Sequence, residues 1–238
     1  MNPVALKYTN GVRHRHGEPD WTKPCFPQRD ERLAKWRAAQ AMPTVSTPPQ
    51  RGSRLSLWTE CLAKIRSAER FAVEQGFSGN DPVLKLLELE ERYHSDLLGE
   101  VLQQLGAAPL LRRPSVLTRV LFWAMSALPA ALHQIEVYLG ERVGLAVFLF
   151  LRAQLPSVAS PTHLPFLELL LDDVIADEKA HVWYAQALLS TRQLAIAQRL
   201  LPLTRWAVTQ ELPELQALAG KKGIQFMLAQ LESANDTV

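Results

Sequence analysis

The chain has 238 residues, 47% of them apolar, and its 26 Lys and Arg against 24 Asp and Glu give a formal net charge of +2. That is enough apolar chain for a sizeable core, as one domain or one domain plus an arm. Two cysteines, Cys25 and Cys61, exclude a disulfide framework, and the charged start Met-Asn-Pro-Val-Ala-Leu-Lys lacks a signal-peptide core, so a cytoplasmic chain is expected.

Residues 1–54 hold ten Lys or Arg against four Asp or Glu, a balance of +6 that leaves −4 on the remainder. This arm mixes Pro, Arg, His and Gly with little periodicity. A short helix is expected at Arg29–Met42, with a joint at Pro43–Ser53. The arm reads as a solvated basic tail, with RNA as the alternative partner. No alternation of aromatic and basic residues accompanies it.

The first bundle helix is expected from about Ser56 to Gln75, where Trp58, Cys61, Leu62, Ile65, Ala68 and Ala72 recur at helical spacing. Glu69 falls inside that apolar stripe, whereas Glu60 falls opposite it and reads as a solvated surface residue. A carboxylate on an apolar face is costly unless it meets a cation. Turn residues Gly76–Pro82, with Asp81 as N-cap, lead into a second helix from Pro82 to about Leu105, closed by Gly106. The short turn makes the two helices antiparallel. Glu69 and Glu91 lie eleven residues to either side of its centre near Asn80, hence at one height, and Glu60 falls about 13 Å too far along.

A crossover is expected over 107–130, then a third helix from about Ala131 to Gln154, apolar nearly all round as a central helix should be. It holds two acids, Glu136 and Glu141. A loop at Leu155–Thr162 precedes a fourth helix from about Pro165 to Thr191. Counted from a loop centre near Ala159, Glu141 matches the height of Glu178, with Glu136 as the fallback. Leu121–Ile135 and Val143–Leu151 are very apolar. Arg119, Pro129, His133 and Arg142 interrupt or flank them, and neither reaches the about 18 uncharged residues of a membrane span. Buried core is the expectation, with a peripheral membrane contact as the alternative. Two packing helices around Pro202 and Pro213 follow, and Leu231–Val238 reads as a frayed end.

The chemistry lies in a repeated spacing. Glu91 and His94 stand three apart on the second helix, as do Glu178 and His181 on the fourth. Residues three apart share a helix face and can point at one atom. A lone pair of this kind is usually a surface hydrogen bond. Two of them, each opposite an inward Glu at matching height, point to a metal site of Glu69, Glu91, His94, Glu141, Glu178 and His181. Glu90 is an alternative to Glu91 because it too shares a face with His94. Four carboxylates and two imidazoles suit two hard-to-borderline cations, iron or else manganese, better than zinc. Asp177 and Asp173 lie near the same face and could accept from the imidazoles. Tyr93 and Tyr184 could line the pocket, although packing is the commoner role of such rings. His133 and His163 fall near helix starts and read as caps or surface residues.

Two Glu-x-x-His helices, each preceded by a helix carrying an inward Glu, resemble the ferritin-like di-iron carboxylate superfamily over about Ser56–Thr191. The resemblance implies an antiparallel four-helix bundle with a long crossover, in which Glu91 and Glu178 bridge two irons while Glu69 and Glu141 each bind one. Arg66-Ser-Ala-Glu-Arg-Phe71 followed by Leu-Glu-Glu-Arg-Tyr-His94 is also similar to one half of the bacterial tRNA hydroxylases acting on the isopentenyl chain of a modified adenosine. In that family the segment belongs to the second helical pair. Here it forms the first, and Gly140-Glu141-Arg142-Val143 does not repeat it. The Asp-His-Ala-Gly-Glu segment of the quinone hydroxylases is absent, and Val174 stands where arylamine N-oxygenases carry a further His.

The resemblance implies an O2-dependent oxidoreductase using two iron ions, a small-molecule or modified-nucleoside substrate and an electron donor protein or other reductant. An apolar substrate would suit the apolar third helix, and a homodimer is compatible with the pattern. Iron handling, as ferroxidase or storage protein, and a non-catalytic scaffold are the alternatives.

Overall fold

The computed structural model describes residues 48–75, 82–107, 115–116, 119–120 and 130–233. The described residues are helical, with no strand among them. The helix expected at Arg29–Met42, the Asp81 cap and most of the expected crossover lie outside them. The chain divides into two compact units, Met1–Arg113 and Pro114–Val238. No helix among the described residues is long and apolar enough to cross a membrane.

The first unit contains α1 (Arg54–Gln75) and α2 (Pro82–Gln104), which pack together. α1 starts two residues earlier than its apolar stripe suggests, because the Ser53 hydroxyl accepts from the Ser56 amide at 3.1 Å and caps it. Trp58, Cys61 and Leu62 are fully buried, while Ile65, Ala68 and Ala72 are half-buried. Arg66 crosses to α2, donating from Nε to the Ser95 carbonyl at 2.6 Å. Its guanidinium lies where a side chain at Gly99 would begin: a Cβ there would meet it at 2.6 Å. Burial lowers the pKa of Arg66, the Arg70 charge lowers it further, and Glu69 pulls the other way. Two residues past the end of α2 stands Gly106, whose φ of +66° is the left-handed turn that commonly follows a helix.

The second unit is built on α3 (Ala130–Val158), against which α4 (Leu164–Ala187), α5 (Thr191–Glu211) and α6 (Pro213–Ser233) all pack. α3 and α4 are antiparallel. Glu141 meets His181, Gly144 lies against Glu178, and Arg152 binds Asp172 and Glu168. The hydrogen bond that Arg152 donates to Asp172 is the largest cause of the raised pKa of Arg152. These ion pairs are part-exposed and each contributes about 0–1 kcal/mol. A buried Phe148, Phe150 or Leu151 contributes about 1.5–3 kcal/mol. Packing therefore holds the pair together, and Arg152 helps set its register.

Three boundaries depart from expectation. α3 continues through Pro156 to Val158, so the loop begins later than Leu155. α4 stops at Ala187, not Thr191, because Ser190 starts a new helix: its hydroxyl accepts from the Gln193 amide and the Gln193 side chain returns to the Ser190 amide. This capping box predicts that Ser190→Ala costs about 1 kcal/mol, readable as a lower Tm. Leu231 is not frayed: it is 1% exposed, α6 runs to Ser233, and the Leu231 carbonyl accepts from Arg142. α6 bends at Gly220, whose φ of +63° and ψ of −170° interrupt the helical path.

Candidate metal centre

α4 turns three ionisable side chains inward: Asp177, Glu178 and His181 are each no more than 2% exposed. From α3 comes Glu141, whose side chain is 10% exposed and whose Oε2 lies 3.3 Å from His181 Nδ1. Within this unit Glu141, Glu178 and His181 offer ligand atoms within 4.8 Å of one another. The space for Glu178 is made by a missing side chain. A Cβ on Gly144 would stand 2.8 Å from Glu178 Oε2.

In the first unit α2 buries Glu90, Glu91, Tyr93 and His94, with His94 Nδ1 4.0 Å from Glu91 Oε1. The Glu-x-x-His spacing thus places both members of the pair inward on α2, as it does on α4. Within the second unit the Glu141, Glu178 and His181 group could hold a metal ion.

The two carboxylates and one imidazole of Glu141, Glu178 and His181, in a largely buried setting, are chemically suited to a cation. Two like charges about 4 Å apart repel by about 4 kcal/mol at an effective dielectric of 20, and burial removes the water that would otherwise screen them. A bound cation would relieve that repulsion. The donor set is oxygen-rich, with one imidazole and no thiolate, and Cys61 is separately buried among core side chains. Such a set favours hard-to-borderline ions.

Glu69 is half-buried on α1 with its Oε2 shielded from solvent, and it belongs, like His94, to the first unit. Asp177 is buried and Asp173 half-buried; Tyr93 and Tyr184 are buried. Glu90 is more deeply enclosed than Glu91, at 1% against 7% exposure. Glu136, the fallback, is engaged elsewhere, with its Oε2 3.2 Å from His133 Nδ1. Glu60 departs from its expected solvated position: it is half-buried and accepts from the Ser56 hydroxyl at 3.0 Å. His163 sits at the start of α4, its Nδ1 2.9 Å from the Ser160 hydroxyl, so it bonds locally.

Gly144 is the residue that motif reading missed, since a glycine in an apolar helix carries no donor. Its role has a sharp consequence. In Gly144→Ala the new methyl forces the Glu178 carboxylate to move, while the helix gains about 0.5–1 kcal/mol from losing a glycine. The expected result is an unchanged or higher Tm without metal together with about 10- to 100-fold weaker metal affinity, measured by competition with a chromophoric chelator. Unchanged affinity would show that Glu178 does not bind from this position.

No protein-family model, curated protein or solved structure matches the chain.

Proposed function

We propose that this chain is a di-iron, O2-dependent oxidoreductase of ferritin-like architecture that hydroxylates or otherwise oxidises an apolar organic substrate. The observation that carries the reading is that both copies of the Glu-x-x-His spacing are buried, Glu91 and His94 on α2 and Glu178 and His181 on α4, the latter with Glu141 of α3 within ligand reach. In this reading the chain is a ferritin-like four-helix bundle. Glu69, Glu91, His94, Glu141, Glu178 and His181 would hold the two ions. Asp177 and Asp173 accept hydrogen bonds that orient the imidazoles.

Iron bound there would supply one- and two-electron chemistry with O2, manganese being the alternative ion. The chain's own contribution is different. Its carboxylates hold charge in a site that buried Leu, Phe and Tyr side chains keep dry, and its apolar helices suit a substrate with little polarity.

The test loads the full chain with ferrous iron without oxygen and then supplies O2 with and without a reductant. Sustained O2 consumption that needs the reductant supports the oxidoreductase reading. Consumption that stops once the iron is oxidised, with iron retained in a large assembly on gel filtration, favours ferroxidase or storage activity. Iron binding without consumption favours a scaffold. A stoichiometry of one ion, insensitive to Glu69→Ala and His94→Ala, would replace the dinuclear centre with a mononuclear one.

A further inference from the structure

α5 presents an outward face that packing within its own unit does not explain. Arg192, Arg199, Leu203, Trp206 and Gln210 recur at intervals of seven, four, three and four, which sets them in one line along the helix. All five are exposed, Leu203 at 58% and Trp206 at 52%, and Leu200 beside them is 37% exposed. Large apolar side chains clustered on a helix's solvent face mark a contact surface more often than chance. The charge on this helix is mainly positive. Arg192, Arg199 and Arg205 face a single acid, Glu211, which lies off the stripe and accepts from Ser115. Neither Arg192 nor Arg199 pairs with an acid among the described residues.

We infer that this face of α5 docks on an anionic phospholipid surface, with Leu203 and Trp206 entering the boundary between headgroups and acyl chains and Arg192 and Arg199 meeting lipid phosphates. The combination is the chemistry of an interfacial helix: an indole and a leucine that gain from partial desolvation, beside guanidinium groups that reach phosphate. The stripe is about 27 Å long and lies along the helix, so it suits contact parallel to a surface. Other occupants fit less well. The chain's own arm carries +6 and would be repelled. A second copy of the same face would bring four arginines together with no carboxylate. Single-stranded RNA would need several stacking rings, whereas one aromatic and two leucines are offered.

The experiment uses the full chain with vesicles of phosphatidylcholine, with and without phosphatidylglycerol, at low and high salt. Two paired variants are compared with the parent: Leu203→Ser with Trp206→Ser, and Arg192→Glu with Arg199→Glu. All four positions are exposed, so Tm and metal content should be unchanged. The expected result is sedimentation with phosphatidylglycerol vesicles only, weakened by salt, and reduced at least about tenfold by either pair. Equal binding by parent and variants would overturn the assignment and transfer the contact to another surface such as the arm. Absence of vesicle binding would also overturn it, as would vesicle-independent dimerisation or oligonucleotide binding that the same variants abolish.

Discussion

Glu178→Ala and His181→Ala each remove at least one metal equivalent from the purified chain, whereas Glu60→Ala leaves metal content unchanged. The contrast follows from position. Glu178 and His181 are buried on one face of α4, with Glu141 opposite, and contribute donor atoms to the same small volume. Glu60 is engaged by Ser56 on α1, outside that group. Even a residue that only orients a ligand typically changes metal affinity about 10- to 100-fold, so loss of a ligand should exceed that. Elemental analysis of the three variants purified side by side decides the matter, and equal metal in all three would refute the ligand assignment. Stability gives a second signature. Without metal, removing one of several crowded carboxylates relieves repulsion, so Glu178→Ala should lose less stability in the apo form than burial alone suggests.

The second large effect is expected at Arg142→Ala. Arg142 is 1% exposed, donates to the Tyr138 hydroxyl at 2.9 Å, lies 5.4 Å from the Tyr138 ring centre, and reaches the Leu231 carbonyl of α6. Hydrogen bonds from a charged donor contribute about 1.5–3 kcal/mol each, and truncation leaves a cavity as well. A loss of about 3–5 kcal/mol is expected, as a drop in Tm of the order of 10 °C. Arg142→Met should recover part of it, because an apolar side chain of similar length fills the space and avoids burying a charge. Arg152→Ala, which removes only part-exposed ion pairs, should cost about 1 kcal/mol or less. Arg142→Ala should disturb metal binding far less than stability, since the guanidinium points to α6 and Glu141 faces α4.

Much of the second unit was legible because periodicity and loop length constrain an antiparallel pair strongly. Counting outward from a loop selected Glu141 over Glu136, and Glu141 is the acid that meets His181 while Glu136 binds His133. The count was still off in register. Glu141 was expected level with Glu178, but Gly144 lies there, because α3 continues past Leu155 and moves the pivot of the turn. A discrepancy of less than one helical turn leaves the choice of acid intact.

Other features were written less plainly. Ser190-Thr-Arg-Gln193 carries a capping-box signature that marks the break between α4 and α5, but it is embedded in a continuous apolar pattern. Arg142 gave no such sign, since one arginine on an apolar helix is ordinarily taken for its solvent edge. Its burial depends on α6, whose Leu231 lies 89 residues later in the chain, a contact that local spacing does not encode. On α1 the apolar stripe identified the inner face, yet its second half is only half-buried, and Glu69 shares that intermediate position.

The most direct examination of the metal centre is X-ray absorption at the iron edge of the full chain, loaded anaerobically with ferrous iron and freed of excess. The account predicts about two irons per chain, a shell of oxygen and nitrogen only, outer-shell scattering from imidazole, and an iron–iron vector of about 3.5–4 Å. Sulfur in the shell, no imidazole scattering, or iron that washes away would contradict it.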